Sequence, residues 1–183
     1  MKFCATCGGA IEQRVPEGDD RRRFVCGDCG EIHYINPRVI VGCLPEHNGK
    51  ILLCRRAIEP RHGYWTLPAG FMENGETTAE GAARETLEEA AATACNLRLY
   101  RLLDVPHISQ VYVFYRCGIE EGRFGIGPES LETRLFDEAD IPWDEIAFPT
   151  VTEVLTEFLD DRKQNVFPVR HSVISLPDKF RKH

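Results

Sequence analysis

Two cysteine pairs dictate what the first part of this chain can become. Cys4-Ala-Thr-Cys7 and Cys26-Gly-Asp-Cys29 are separated by 18 residues, a spacing that lets two knuckles close on one metal ion. Each CxxC turn gathers two thiolates, and two turns complete a tetrahedron with Zn–S bonds of about 2.3 Å. A redox dithiol or a pair of disulfides are the competing readings. A redox CxxC opens a helix in a βαβ setting, and neither pair has one. Zinc held by Cys4, Cys7, Cys26 and Cys29 is therefore expected, in a structural role, because four thiolates leave no open coordination position. Gly8-Gly9 and Gly30 follow the knuckles, where the chain must turn tightly. Ala10 to Val25 carries few large apolar residues, so metal binding has to supply the stability of this segment. A zinc ribbon over residues 1–36 follows. Its Arg21-Arg22-Arg23 run sits beside Asp19-Asp20, the pattern of a solvated hairpin tip rather than a phosphate-binding stripe.

A larger domain is expected over 37–165, starting where Asn36-Pro37 hands over to a strand, with 166–183 as a C-terminal tail. Arg38–Leu44 is β-branched and apolar, and residues 45–49 end in Asn48-Gly49, a strong hairpin signal. Lys50–Arg56 reads as the returning strand, followed by strands at Leu97–Val105, Gln110–Ile119 and Leu131–Phe136. Two helices stand out. Thr77–Ala94 is rich in Ala and Glu with a threonine N-cap. Thr150–Lys163 sets Val151, Val154, Leu155, Phe158 and Leu159 at helical spacing, a core-facing stripe. Hairpin strands interleaved with two helices predict an α/β chain with a mixed sheet covered by helices. Cys43, Cys54, Cys95 and Cys117 lie in apolar, strand-like surroundings, where free cysteine behaves as a small hydrophobe.

The chemistry is concentrated in Gly70–Ala92. A glycine loop leads into a helix carrying Glu85, Glu88 and Glu89 at i, i+3 and i+4, so three carboxylates share one helical face. Like charges at that spacing raise one another's pKa unless a cation sits among them. Clustered hard oxygens suit Mg²⁺ or Mn²⁺ rather than zinc. Arg84 and Glu76 are placed to brace the cluster. Spacing alone also leaves open a solvated acidic helix face.

The order of residues goes further. Gly70, five residues, Glu76, seven residues, Arg84-Glu85, two residues, Glu88-Glu89 resembles the Nudix box, and Trp65-Thr66-Leu67-Pro68-Ala69-Gly70 resembles that family's entry to it. Thr86, Ala91 and Ala92 depart from the pattern, where an aliphatic, a glycine and an aliphatic are usual. All three departures concern helix packing or exit. The resemblance implies a Nudix α/β/α sandwich with a mixed sheet. It also implies metal-dependent hydrolysis of a nucleoside diphosphate linked to another moiety. Carried over by position, Glu85 and Glu89 are the main Mg²⁺ or Mn²⁺ ligands, Glu88 completes the cluster, and the Gly70 carbonyl is a further ligand. Ionised carboxylates are needed, so activity is expected to rise from acid towards alkaline pH.

Family members take their general base from different places. Here the loop Gly127-Pro128-Glu129-Ser130-Leu131-Glu132 offers Glu129 first and Glu132 second, against a plain reading of solvated acids beside an edge strand. Zinc ribbon plus box is a pairing seen in NADH pyrophosphatases, but their Ser-Gln-Pro-Trp-Pro-Phe-like run is absent. Ser109-Gln110-Val111-Tyr112 only echoes it. The ribbon, NPRVIVGCL, HGYWTLPAGF, the box and GPESLETRLF are more similar to the ADP-ribose/FAD pyrophosphatases of plant plastids and their bacterial relatives. The expected substrate is a small dinucleotide, FAD or ADP-ribose, releasing AMP; NADH, a capped RNA end or a non-catalytic ligand sensor are the alternatives. An arginine among Arg55, Arg56 and Arg61 is expected at phosphate. Tyr112 and Phe114 share one strand face, which lines the site or packs the core.

A net charge of -7 from 22 Lys+Arg and 29 Asp+Glu disfavours a nucleic-acid or anionic-membrane partner, which needs a basic surface. No apolar run approaches the roughly 20 residues that span a bilayer. The N-terminus has neither an apolar signal core nor a small-residue cleavage site, so a cytoplasmic enzyme is expected. The resemblance adds a homodimer.

Overall fold

The computed structural model describes residues 1–175. The chain divides into two compact units, Met1–Pro37 and the remainder from Arg38. In the first, strands β1 (Ile11–Arg14), β2 (Arg23–Cys26) and β3 (Ile32–His33) form a small antiparallel sheet. The two knuckles repeat one turn: Gly8 N–H donates to the Cys4 carbonyl at 3.0 Å and Gly30 N–H to the Cys26 carbonyl at 3.2 Å. Both glycines have positive φ (78° and 74°), a conformation that costs a residue with a Cβ. At the hairpin tip Arg23 pairs with Asp19 at 2.7 Å. Among the described residues of this unit only Cys4, Pro16, Val25 and Cys26 are buried.

The second unit is built on an eight-stranded mixed sheet. Its strands are β4 (Arg38–His47), β5 (Lys50–Arg56), β6 (Trp65–Thr66), β7 (Ala69–Phe71), β8 (Ala94–Val105), β9 (Gln110–Ile119), β10 (Ser130–Phe136) and β11 (Arg170–Val173). The main path runs β10-β5-β4-β9-β8-β11. β4 lies parallel to β9 and β11 parallel to β8, whereas the neighbours β5/β10 and β8/β9 are antiparallel. Asn48-Gly49 makes the tight turn between β4 and β5, both residues at positive φ. These two strands pair only next to it, at Glu46↔Ile51 and His47↔Lys50. Beyond that point they part, β5 taking β6 and β4 taking β7 as antiparallel partner. The chain that leads into the glutamate helix thus threads a gap between the strands.

Alternation along the strands fills two cores. Val41, Cys43, Leu52 and Cys54 face helix α1 (Thr78–Ala90), and Leu44, Ile51 and Leu53 face helix α2 (Pro149–Gln164), where Val154, Leu155 and Phe158 pack. One helix on each side gives the α/β/α sandwich. Thr77 caps α1 with a complete capping box: its hydroxyl accepts from the Glu80 N–H at 3.2 Å, and the Glu80 carboxylate accepts from the Thr77 N–H at 2.8 Å. Buried Thr86 satisfies its hydroxyl on the Ala82 carbonyl at 2.8 Å, which is how a polar residue stands in an aliphatic position. The helix ends at Ala90, short of the expected end at Ala94. Ala91 turns left-handed at φ 46°, and Ala94 is already paired with Ile119. A left-handed alanine costs about 1 kcal/mol more than glycine. Ala91→Gly is therefore expected to stabilise the fold by up to about 0.5 kcal/mol after the entropy gained by the unfolded chain, read as a small rise of the urea midpoint at unchanged slope.

Residues 166–183 are not wholly a tail. Residues 176–183 lie outside the described residues, but Arg170–Val173 adds a parallel edge strand to the sheet. Ion pairs rather than an apolar pattern recruit it. Arg170 grips Asp161 of α2 at 2.5 and 2.7 Å, and His171 Nε2 lies 2.9 Å from an Asp104 oxygen. Beside this strand Arg101, 0% exposed, meets Glu153 at 2.8 Å and is paired with Glu157.

Candidate functional site

In the first unit the sulfurs of Cys4, Cys7, Cys26 and Cys29 all lie within 4.8 Å of one another. The close pairs are 3.4 Å (Cys7–Cys29), 3.5 Å (Cys7–Cys26) and 3.8 Å (Cys4–Cys29). A tetrahedron with Zn–S bonds of about 2.3 Å has sulfurs about 3.8 Å apart, so the four thiols fit zinc. His33 carries no mark in the sequence, yet its Nε2 lies 3.2 Å from the Cys4 sulfur. The available signal is its place on the short hairpin strand that leaves the second knuckle.

In the second unit the threaded chain delivers Gly70 against helix α1. A Cβ on Gly70 would collide with the Glu85 carboxylate, so the absent side chain makes the cradle in which that carboxylate sits. Glu89 is 6% exposed, and its Oε2 has no hydrogen-bond partner among the described residues. Burial, with the Glu85 charge second, pushes the Glu89 pKa up to about 8, against a pull downward from Arg56 and the Ala69 backbone. Burial likewise raises Glu85, with Arg84 opposing. Glu88 completes the face at the exposed edge. The acids are thus crowded, partly dry and short of positive charge.

Arg84 is the local counter-charge, and it is fully engaged. Its Nε and Nη2 donate to the Glu76 carboxylate at 3.0 and 2.8 Å, and Nη1 to Glu85 at 2.7 Å and Glu88 at 3.1 Å. Nη2 also donates to the Phe71 carbonyl at 3.1 Å. Arg84, with the Glu73 N–H behind it, holds the Glu76 carboxyl down to about 2. Glu76 is a brace, then, while Glu85 and Glu89 keep oxygens for something else. An orphaned buried carboxylate oxygen beside a second dry carboxylate is what a hard divalent cation satisfies.

The loop carrying Glu129 is laid on the end of α1. Gly125 N–H donates to the Ala90 carbonyl at 2.7 Å, Gly127 N–H to the Glu89 carbonyl at 3.1 Å, and the Glu129 carbonyl accepts from Ala57 N–H at 2.8 Å. The Glu129 charge reaches Glu85 and Glu89, adding to the rise of both. Glu132 instead faces Arg55 at 3.8 Å. Of the arginines, Arg55 is tied to the Gly63 carbonyl at 2.9 Å and Arg61 lies over Tyr64. Arg56 is likewise tied, its Nε donating to the Pro60 carbonyl at 2.9 Å, but its charge reaches both Glu89 and Tyr112, and its guanidinium lies 5.1 Å from the Phe148 ring centre. Tyr112 is half-buried and donates to Gln110 at 3.0 Å, while Phe114, with its ring 6.1 Å away, is in the core. Glu85, Glu88, Glu89, Gly70 and Glu129 thus gather around one end of α1, within reach of the Arg56 charge, while Tyr112 stands with Phe114 on the α2 face of the sheet and Arg55 faces Glu132.

Among known proteins, residues 2–35 match the Nudix N-terminal zinc-ribbon family and residues 36–161 the NUDIX domain family. A crystal structure of a NUDIX hydrolase from Nitrosomonas europaea is similar over 95% of this chain and 99% of its own, with a TM-score of 0.92 and 51% identity. The NAD-capped RNA hydrolase NudC of Photobacterium profundum is 31% identical over 143 residues, 76% of this chain and 50% of that protein. The chain spans about half the length, or less, of the curated relatives it matches. An ADP-ribose pyrophosphatase of Streptococcus suis shares the fold, with a TM-score of 0.61 and 21% identity over 75% of this chain and 100% of its own. Among the described residues no helix is long and apolar enough to cross a membrane. The run from Gly70 to Glu89, the sandwich that presents it and the two family matches agree: the chain belongs to the Nudix family, in the form that carries a zinc ribbon ahead of the NUDIX domain.

Proposed function

We propose that the protein hydrolyses the pyrophosphate bond of a small adenine dinucleotide, FAD or ADP-ribose, releasing AMP. The observation that carries this reading is the buried, unpartnered Glu89 carboxylate beside Glu85, with Arg84 already committed to Glu76, Glu85 and Glu88. Glu85, Glu89 and Glu88, with the Gly70 carbonyl, would hold Mg²⁺ or Mn²⁺. A divalent ion there supplies charge neutralisation of the pyrophosphate and acidifies a bound water. Arg56 supplies a further positive charge to the phosphates, and Tyr112 a half-buried ring face for a base or ribose. Arg55, which like Arg56 spends its Nε on a loop carbonyl, is the second candidate for the phosphates. Glu129, held over the helix end by its loop, takes the proton of the attacking water. Its replacement, Glu129→Gln, is expected to lower the rate roughly 10²–10⁴-fold without loss of metal binding. A wild-type rate in that variant removes Glu129 from the mechanism.

Net charge alone sets RNA aside. The name of the NudC relatives gives NAD and NAD-capped RNA a specific claim as the second reading, so nucleic acid stays among the substrates to test. The homodimer belongs to the proposal on family resemblance, and the cytoplasmic setting on the character of the N-terminal residues. The test is a turnover panel with Mg²⁺ or Mn²⁺ on FAD, ADP-ribose, NADH and NAD-capped RNA, with Glu89→Gln as control. AMP and FMN from FAD, or AMP and ribose 5-phosphate from ADP-ribose, support the first reading. Preference for NADH or NAD-capped RNA replaces it with the second. Silence on all four, with metal bound, replaces both with a ligand sensor.

A further inference from the structure

We infer that His33 secures the zinc of the ribbon by donating its Nε2–H to the thiolate of Cys4, linking the second knuckle to the first by a contact that does not pass through the metal. A zinc ion on four thiolates carries two net negative charges, and each sulfur needs donors in proportion to its loss of water. Cys7 and Cys29 are exposed and take donors from solvent, whereas Cys4 and Cys26 are buried. For Cys26 the donor is the Cys29 N–H at 3.5 Å. For Cys4 the backbone supplies Thr6 N–H at 3.4 Å, and His33 approaches closer, at 3.2 Å.

The fold explains why His33 can reach. Cys26 N–H donates to the Glu31 carbonyl at 2.9 Å, closing the second knuckle into β2 and β3 with Val25 opposite Ile32 and Phe24 opposite His33. That pairing fixes the ring at 29 residues' separation from Cys4 in sequence. The Cys4 end is equally fixed, since Cys4 N–H donates to the Gly9 carbonyl at 2.8 Å. A donor mounted on one knuckle and aimed at a sulfur of the other holds the pair of turns in register, so less order has to be created when the metal binds. His33 is a positioning residue here: the four sulfurs remain the ligands, and the ring sets charge and alignment.

The test uses the zinc-loaded full chain and reads metal rather than turnover. Zinc capture by 4-(2-pyridylazo)resorcinol is followed for the wild type, His33→Ala and His33→Gln, and the same three are loaded with Co²⁺ for absorption spectra. Loss of an outer hydrogen-bond partner typically weakens a metal site roughly 10–100-fold, and His33→Ala is expected to lose zinc affinity in that range. His33→Gln places a side-chain N–H at similar reach and is expected to recover most of it. The Co²⁺ bands of all three proteins are expected to coincide, because the sulfur ligands do not change. Equal zinc retention in wild type and His33→Ala overturns the inference. So does equal weakening in both variants, which would leave ring packing as the cause. A Co²⁺ spectrum that shifts on loss of His33 overturns it as well, by making the ring a ligand. A wild type that binds no zinc fails the ribbon's metal assignment itself, a result separable from the others by metal analysis before any substitution.

Discussion

Glu89→Gln is expected to stop turnover and, at the same time, to make the metal-free protein more stable at alkaline pH. The two halves have one cause. Glu89 is almost wholly buried with an unpartnered oxygen, so the fold is kinder to its protonated form. Its pKa stands at about 8 in the folded chain against an ordinary 4.5. For a carboxyl whose folded pKa is raised, the stabilising contribution is complete below the unfolded value. It is lost as pH rises through the folded one. Metal-free wild type should therefore lose stability from this group between about pH 4.5 and 8, on the order of a few kcal/mol. The glutamine variant has nothing to ionise and escapes that loss. Its turnover should fall roughly 10³-fold or more, since losing one carboxylate ligand weakens the hold on the divalent ion whose charge stabilises the reacting phosphate by several kcal/mol. Thermal melts in chelator from about pH 6 to about pH 9, with and without excess Mg²⁺, check the first half. Parallel curves for wild type and variant would show that Glu89 does not titrate in this range. A variant that keeps its rate would remove Glu89 from the chemistry.

The second large effect is expected at the other end of the chain. Cys26→Ser, or stripping zinc with a strong chelator, should unfold residues 1–37 while leaving the NUDIX unit folded. Two of the few buried side chains in the ribbon, Cys4 and Cys26, are ligands themselves, with Val25 and Pro16 also buried. So few side chains cannot offset the conformational entropy of the unit, at roughly 1–2 kcal/mol for each ordered residue. Zinc on four thiolates contributes on the order of 10 kcal/mol or more. Amide hydrogen exchange reads the outcome directly. Protection should vanish from β1, β2 and β3 and persist in β4, β9 and α2. With Mg²⁺ restored after chelation, the glutamate cluster keeps its own scaffold, because the hydrogen bonds that brace it come from its own unit. Full protection of the ribbon without zinc would show that its few buried groups suffice.

What can be read from the residues, and what cannot, divides along contact distance. The box glutamates, the Thr77 cap and the Asn48-Gly49 turn are local patterns, and each is where its spacing or turn chemistry puts it. The expected helix end overshoots because Ala91 and Ala92 have strong helical propensity. Nothing local announces that β8 begins at Ala94, which the pairing with Ile119 decides. β6 and β7 are two and three residues long and exist because β4 and β5 part company, a tertiary fact. His33, Arg101 and the Arg170–Asp161 pair escape a reading of the chain for the same reason: each acquires its partner only in the fold. By position alone Arg55 and Arg56 stand equally near phosphate. Each spends its Nε on a loop carbonyl, and what separates them is that Arg55 faces Glu132 while the charge of Arg56 reaches Glu89.

The buried Arg101 has a bearing on how the protein is made. Its guanidinium is enclosed beneath β11 and α2, and its acidic partners, Glu153 and Glu157, lie more than 50 residues further along the chain. Because α2 carries both glutamates and also forms the cover, the cation is paired in the same step that takes it out of water, which avoids the cost of burying it alone. A product truncated before residue 153 would leave Arg101 in water, without either its cover or its acids.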